Sequence, residues 1–311
     1  MMTQPLHILS AEQMNQWEKD GFIHLKGLIE PACIAAMNHM MEEIVDEIIQ
    51  KYMVEGVITD DRKDLPYEKR LTILNMKAIE FGRSFRAVIS RKGLYQLNND
   101  PSLVKALRDV MGDEICGVPA YNARPNLPHN KVMTVPWHQD LGYYGAAAQQ
   151  CNLITCWLPL VSVTEDMGAM QVIRGSHKWD FIPHFQGKNE GGFLETEELK
   201  NSEEDVITFV MEPGDVLMFN SFMMHRSVPN VSDKIRWSVD LRFAVPGEYQ
   251  GKDGNLIFHT KNEKGEWVSR EDHWIIASQN KPVTTEEDWL TWVQAWYGDQ
   301  IHPTPNKKIS G

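Results

Sequence analysis

Between Glu114 and Val245 the apolar stretches are short, rich in Val, Ile, Phe and Trp, and punctuated by Gly, Pro, Asn and Asp. Such a pattern cannot sustain long helices; it reads as a series of strands at Lys131–Gln139, Leu153–Leu160, Met170–Ile173, Val206–Val210, Val216–Asn220 and Trp237–Val245. Several short strands at roughly regular spacing predict a barrel or jelly roll. The Gly- and Glu-rich segment 187–204 is expected to be an excursion between strands and a candidate lid.

The first third follows a different period. Ser10 is placed to cap a helix running to about Asp20, and Gly21–Leu28 alternates as a strand does. Pro31 opens a run to about Tyr52 with Ile34, Met37, Met41, Ile44 and Ile48 at helical spacing. A polar loop spans Val54–Pro66, and a further helix is expected from Ser102 to Met111. Near the C-terminus, Trp289, Trp292 and Trp296 fall on one face of a helix starting near Thr284, suited to packing on the barrel. The expected class is α+β. With no repeat and no linker, the expectation is one domain over residues 1–311. Residues 1–113 would be mainly helical support, 114–250 the jelly-roll core and 251–311 a C-terminal extension.

Charge narrows the partners. With 31 basic and 43 acidic residues the net charge is −12, which disfavours nucleic acid and anionic membrane surfaces but not a small anion in a local basic pocket. A small-molecule substrate is expected. Cys33, Cys116, Cys151 and Cys156 form no CxxC pair, and Cys151 and Cys156 read as buried thiols. The N-terminus lacks a basic and apolar leader, and no apolar run is long enough to span a bilayer, so a cytoplasmic protein is expected.

Pro136-Trp137-His138-Gln139-Asp140 is the sharpest local feature. On a strand, residues two apart share a face, so His138 and Asp140 would present an imidazole and a carboxylate together, a pair suited to a first-row divalent metal. A lone His-x-Asp is as readily a surface pair, but here an apolar flank precedes it and Gly142-Tyr143-Tyr144-Gly145 follows. Among the remaining histidines His225 has the best setting, after the tight turn and apolar strand Gly214-Asp215-Val216-Leu217-Met218-Phe219-Asn220. Two imidazoles and one carboxylate leave three positions open on iron, as oxygen activation requires. Arg236 follows His225 by 11 residues on an expected buried strand. A buried guanidinium needs an anion and matches a dicarboxylate through two parallel bonds. The competing reading is an internal ion pair with Asp240 or Asp215.

Together these elements resemble the phytanoyl-CoA dioxygenase family of iron(II)- and 2-oxoglutarate-dependent oxygenases. The resemblance begins at Asp20-Gly21-Phe22-Ile23, Gly27-Leu28 and Pro31. It continues through Trp137-His138-Gln139-Asp140, Trp157, Gly168-Ala169-Met170 and Gly175-Ser176-His177. It ends with Gly214-Asp215-Val216, His225-Arg226-Ser227 and Arg236. It implies a double-stranded β-helix (a jelly-roll, cupin-like core) with N-terminal and flanking helices. It also implies iron(II) as metal, 2-oxoglutarate as cosubstrate and O2 as oxidant. His138, Asp140 and His225 match the iron ligands, and Arg236 matches the residue that pairs with the distal carboxylate of 2-oxoglutarate. Ser227 and Trp157 match positions beside that cosubstrate. Gly168 and His177 belong to a fingerprint read as structural. The family often has a Gln or Lys on the strand before His-x-Asp, for which Asn122, Lys131 and Thr134 are the candidates here.

The implied chemistry is oxidative decarboxylation of 2-oxoglutarate to succinate and CO2, coupled to oxidation of an unactivated C–H bond of a small metabolite or natural-product intermediate. Halogenation is disfavoured because related halogenases lack the carboxylate that Asp140 supplies. Substrate contacts are expected from Trp137, Tyr143 and Tyr144. Arg83, Arg86 and Arg91 read as a solvated face; any of them inside the pocket would favour an anionic substrate. Two other classes compete. One is a cupin-like metalloenzyme without 2-oxoglutarate, which Arg236 argues against. The other is a non-catalytic jelly-roll binding protein, which an intact His138, Asp140 and His225 set argues against.

Overall fold

In the computed structural model of the chain, residues 8–73, 83–144, 149–197, 199, 205–246, 259–261, 267–269 and 274–297 are described. The helices are α1 (Ala11–Asp20), α2 (Pro31–Val54), α3 (Tyr67–Arg70), α4 (Arg83–Val88), α5 (Lys92–Asn98), α6 (Pro101–Met111) and α7 (Glu286–Tyr297). The strands are β1 (Phe22–Leu25), β2 (Ile115–Gly117), β3 (Asn122–Asn126), β4 (Leu153–Pro159), β5 (Met170–Ile173), β6 (His184–Gln186) and β7 (Leu194–Thr196). They continue with β8 (Val206–Phe209), β9 (Val216–Asn220), β10 (His225–Ser227), β11 (Arg236–Ala244), β12 (His259–Lys261), β13 (Trp267–Ser269) and β14 (Ile275–Ala277).

Local chemistry accounts for the helix limits. The Ser10 side chain accepts from the Gln13 amide while the Gln13 side chain accepts from the Ser10 amide, a reciprocal cap that starts α1. Gly21, at φ +82°, ends that helix. Pro31 sits in the first turn of α2, where its missing N–H costs nothing. The buried stripe of α2 is Ile34, Met37, Met40, Met41, Ile44, Val45, Ile48 and Ile49. The Asp100 side chain accepts from the amides of Ser102 and Leu103 to start α6.

Two antiparallel sheets face each other. The larger is ordered β1-β9-β4-β11-β2-β14, with β3 also pairing along β11. The smaller is ordered β10-β5-β8. All nine residues of β11 are buried, yet its two faces differ in kind. Trp237, Val239, Leu241 and Phe243 join the core cluster that also contains Met37, Met41, Ile44, Leu94 and Leu103 of the helices. Arg236, Ser238, Asp240 and Arg242 alternate with them and so face the smaller sheet. A second apolar cluster, including Phe22, Trp157, Met170, Val172, Leu217 and Phe219, fills the space between the sheets. This is the jelly-roll core with helical support that the strand spacing predicts.

The glycine-bearing fingerprints hold this frame together. The Gly175 amide donates to the Asp20 carbonyl at 2.9 Å, docking the end of α1 on the Gly175-Ser176-His177 turn. A Cβ at Gly21 would stand 2.2 Å from the His177 ring, so the close approach requires glycine. Asp215 accepts from the Gly27 amide at 2.8 Å and lies 3.0 Å from His24 Nε2, clasping the β1 edge to the turn before β9.

Two local expectations change. Lys131–Gln139 is not a strand: Lys131–Met133 is a single 3-10 turn whose start is capped by the Asn130 side chain. Pro136 has no N–H to give to a ladder, and the segment pairs only at an isolated bridge between His138 and His225. The excursion starts earlier than expected, as the hairpin β6–β7 from His184; residues 198 and 200–204 of it lie outside the described residues. Among the described residues, no helix is long and apolar enough to cross a membrane. Trp289 is buried and Trp292 packs on Trp274 at 5.2 Å, as the α7 pattern predicts. The Trp296 side chain and the tail after Pro303 lie outside the described residues.

Candidate metal centre and anion pocket

The bridge between His138 and His225 builds the centre. Each backbone N–H donates to the other residue's carbonyl, at 3.1 and 3.0 Å. Directly opposed residues of an antiparallel pair send their side chains to the same side, and the two imidazole centroids stand 4.1 Å apart. Each Nδ1 lies 2.9 Å from a backbone carbonyl, Pro136 O for His138 and Met223 O for His225. A carbonyl only accepts, so Nδ1 carries a hydrogen in each ring and leaves Nε2 as the atom available to a metal. Both Nε2 atoms face Asp140 Oδ1, at 3.7 and 3.8 Å. Three buried donor atoms thus lie within 4.8 Å of one another.

Asp140 arrives by a different route from the expected strand alternation. It begins a 3-10 turn, Asp140–Tyr143, and the intervening Gln139 faces the other way. Gln139 is fully buried; its amide donates to the Phe222 carbonyl and accepts from the Ile182 amide, both at 2.9 Å. That anchor fixes the segment so that its two neighbours share one side. His184 is also close but is committed: its Nε2 accepts from the Gln139 amide at 2.9 Å and its Nδ1 lies 2.6 Å from the Ile182 carbonyl.

The electrostatics suit a cation. Burial alone would raise the Asp140 carboxyl, but the Arg242 guanidinium beside it holds it well below the usual carboxylate range. Burial, reinforced by neighbouring His138, pushes His225 down to about 3, so its imidazole is a neutral donor. Two imidazoles around a carboxylate are the ligand chemistry of a first-row divalent ion.

A second pocket lies along β11. Arg236 is buried and its Nη1 donates to the Gly168 carbonyl at 2.9 Å. Among the described residues it forms no ion pair within 4 Å: Asp240 is bonded to Arg242 and Asp215 to the β1 turn. The internal-pair reading of Arg236 is therefore not what the structure contains. Burial, then neighbouring Arg124, lowers Arg236 to about 10, with the charge of Asp240 opposing them only in part. The Trp157 ring lies 5.4 Å beneath its guanidinium. Asn126 stands opposite Arg236 in the β3–β11 register. Among the described residues, Arg236 Nε, both amide atoms of Asn126 and Thr134 Oγ1 are buried without a hydrogen-bond partner. Buried orphan donors of this kind cost free energy unless a ligand engages them. The pocket thus fits a polar anion such as 2-oxoglutarate.

The remaining expected residues divide. Ser227 is buried and its Oγ accepts from the Val135 amide at 2.9 Å, beside Thr134. Asn122 is not in the anion pocket: its amide donates to Asp240 at 2.8 Å and accepts from Arg86 at 2.9 Å. Lys131 lies in the 3-10 turn. The Trp137 ring stacks with Arg226, at 4.6 Å from the guanidinium, on the outer face of the smaller sheet. Its partner Arg226 alternates with His225 on β10, so the ring lies on the opposite side of that strand from the His225 imidazole rather than among the three donor atoms. Tyr143 packs edge-on to His138 at 5.6 Å. Tyr144 packs against the cluster of Cys116, Val118 and Leu141. Arg86 is inside but committed to the Tyr121 carbonyl and Asn122, and Arg91 pairs with Glu47 on α2. The Arg83 side chain lies outside the described residues.

Four residues near the site were not singled out from the sequence. Asn126 faces Arg236, Thr155 donates to Asp140, Arg242 grips Asp140 and Arg124 lies 3.8 Å from Asp240. Period two along Arg236-Trp237-Ser238-Val239-Asp240-Leu241-Arg242 carries the signal for Arg242: a charged residue on the same face as Arg236 in an apolar strand.

Comparison with known proteins agrees with this geometry. The sequence profile of the Phytanoyl-CoA dioxygenase (PhyH) family matches residues 17–238. The chain is 25% identical over 246 residues to the peroxisomal phytanoyl-CoA dioxygenase of Homo sapiens, covering 76% of this chain and 69% of that one. It is 26% identical over 251 residues to the 1-deoxypentalenic acid 11-beta-hydroxylase of Streptomyces arenae, covering 76% and 81%. Among solved structures, the apo form of the non-heme monooxygenase ThoJ superposes with a TM-score of 0.57 at 15% identity, covering 92% of this chain and 96% of that one, a likeness of fold.

Proposed function

The chain belongs to the phytanoyl-CoA dioxygenase family and is an iron(II)- and 2-oxoglutarate-dependent dioxygenase; from that premise we propose that it hydroxylates an unactivated C–H bond of a small anionic metabolite. His138, Asp140 and His225 are the iron ligands in this reading, and Arg236 binds the distal carboxylate of 2-oxoglutarate. The observation that carries it is the pairing of a three-donor cluster with a buried guanidinium that, among the described residues, forms no ion pair within 4 Å and leaves its Nε unbonded. Iron, 2-oxoglutarate and O2 supply the oxidation, with release of succinate and CO2.

The protein's own groups select, orient and shield. Arg236 and Asn126 would bind the distal carboxylate of the cosubstrate, with Trp157, Thr134 and Ser227 as the neighbouring pocket residues. The β6–β7 hairpin roofs the centre: the Leu194 amide donates to the Tyr143 hydroxyl at 3.2 Å, and Phe193 lies 5.4 Å beneath the Arg124 guanidinium. Water kept out in this way strengthens every charge interaction inside. Arg124 supports the anionic substrate. Its side chain is 31% exposed, and Asp240, its acidic neighbour, is already bonded to Arg242 and Asn122. A carboxylate or phosphonate on the substrate would complete that pair.

The test is an anaerobic titration with iron(II) and then 2-oxoglutarate, followed by the weak visible charge-transfer band of the chelate. A band that is lost in His225→Ala supports the reading; metal binding without a band refutes the cosubstrate role. Succinate release is then compared between carboxylates and their neutral amides. Equal rates would remove the anionic substrate from the proposal.

A further inference from the structure

Arg242 lies on the same face of β11 as Arg236, six residues further along a strand that rises about 3.3 Å per residue. It therefore sits at the opposite end of the site from the anion pocket. Its fork meets the Asp140 carboxylate squarely: Nε to Oδ2 at 3.0 Å and Nη2 to Oδ1 at 2.9 Å. Thr155 Oγ1 also donates to Oδ2. Oδ2 thus has both its acceptor sites filled, and Oδ1 keeps one, on the side of the two imidazole Nε2 atoms.

The guanidinium is itself held. Its Nη1 lies 2.6 Å from Asp240 Oδ2 and donates to the Ala120 carbonyl. Asp240 accepts from Asn122, Asn122 from Arg86 on α4, and Arg86 Nε donates to the Tyr121 carbonyl at 2.8 Å. One chain of hydrogen bonds runs from a supporting helix, across β3 and β11, to the carboxylate. Charges alternate along it, so no buried charge stands alone.

We propose that Arg242 is a positioning residue that restricts Asp140 to a single metal-facing oxygen. This rests on the reading of His138, Asp140 and His225 as the ligand set. A carboxylate bound through both oxygens would occupy two of six metal positions and leave only two. Held through one, it leaves three: two for a chelating 2-oxo acid and one for oxygen. Partners of this kind fix ligand orientation, and their loss typically lowers metal affinity by about 10- to 100-fold.

The experiment uses the full chain loaded with cobalt(II), whose visible absorption reports coordination, and measures affinity by competition with a chromophoric chelator. Arg242→Met is expected to weaken cobalt(II) binding by about 10- to 100-fold, to change the absorption and to weaken 2-oxoglutarate binding to the metal-loaded protein. Arg242→Lys keeps the charge but offers a point donor in place of a fork, so the altered spectrum should persist. A folded Arg242→Met with unchanged affinity and spectrum overturns the proposal. Should that variant not fold, Thr155→Val removes one donor from Oδ2 and should still shift the spectrum; no shift overturns it equally. His225→Ala separates this from the underlying reading. If it binds cobalt(II) like the parent, the ligand set is wrong; if it does not bind while Arg242→Met does so normally, only the role of Arg242 falls.

Discussion

The two faces of β11 are both buried and chemically opposite. One, carrying Trp237, Val239, Leu241 and Phe243, is sealed by helices; Trp237 packs between Tyr67 and Phe85, each at 6.2 Å. The other carries Arg236, Ser238, Asp240 and Arg242, also buried, at 2–8% exposure against 0% for the apolar set. Burial therefore does not separate core from site in this protein; alternation does. Apolar surface on the first face stabilises through its removal from water, about 25 cal/mol per Å2. Charges on the second cost stability unless partnered, and are tolerated because Asp140, Asp240 and backbone carbonyls meet them. The strand supplies stiffness from one side and chemistry from the other.

That contrast can be broken from either side. The largest expected effect is on the charged side: Asp140→Ala removes the anionic ligand and leaves Arg242 without its carboxylate, so succinate release at saturating iron should fall to background. Parent-like turnover would end the ligand assignment. On the helix side, Leu241→Ala should cost about 2–5 kcal/mol in chemical denaturation, while the iron–2-oxoglutarate band per folded molecule stays unchanged. A displaced band would show that the faces are mechanically coupled. Arg236→Ala should raise the 2-oxoglutarate requirement on the order of a hundredfold with little change in the rate at saturation. Unchanged affinity for 2-oxoglutarate would remove Arg236 from the pocket. The smallest effect belongs to Asn126→Ala, which removes a neutral partner; the same requirement should rise by about tenfold or less.

Much of this was legible in the chain. Period 3.6 over Pro31–Val54 and period 2 over β11 gave the helix and the strand because each segment has an apolar stripe to bury. His138, Asp140, His225 and Arg236 stood out because residues of those types are rare in apolar surroundings. The local geometry was less legible. The strand expected over Lys131–Gln139 is absent because Asn130 caps a turn and Pro136 cannot join a ladder. Asn122 and Asn126 are the same residue type on one strand, and only the register with β11 separates the member of the Asp240 chain from the partner of Arg236. Arg242 was missed for a related reason: its partner lies in a distant turn, and pairing across a sheet is not written in local sequence.

The bridge between His138 and His225 has a kinetic consequence. Its two backbone hydrogen bonds join segments from far apart in the chain, on either side of strands β4 to β9. Contacts of such long range form slowly, because the entropy of closing the intervening loop opposes them until the strands between have paired. With His138 and His225 as proposed ligands, tight metal capture is therefore expected late in refolding, as the two sheets come together, and bound metal then stabilises the folded state by mass action.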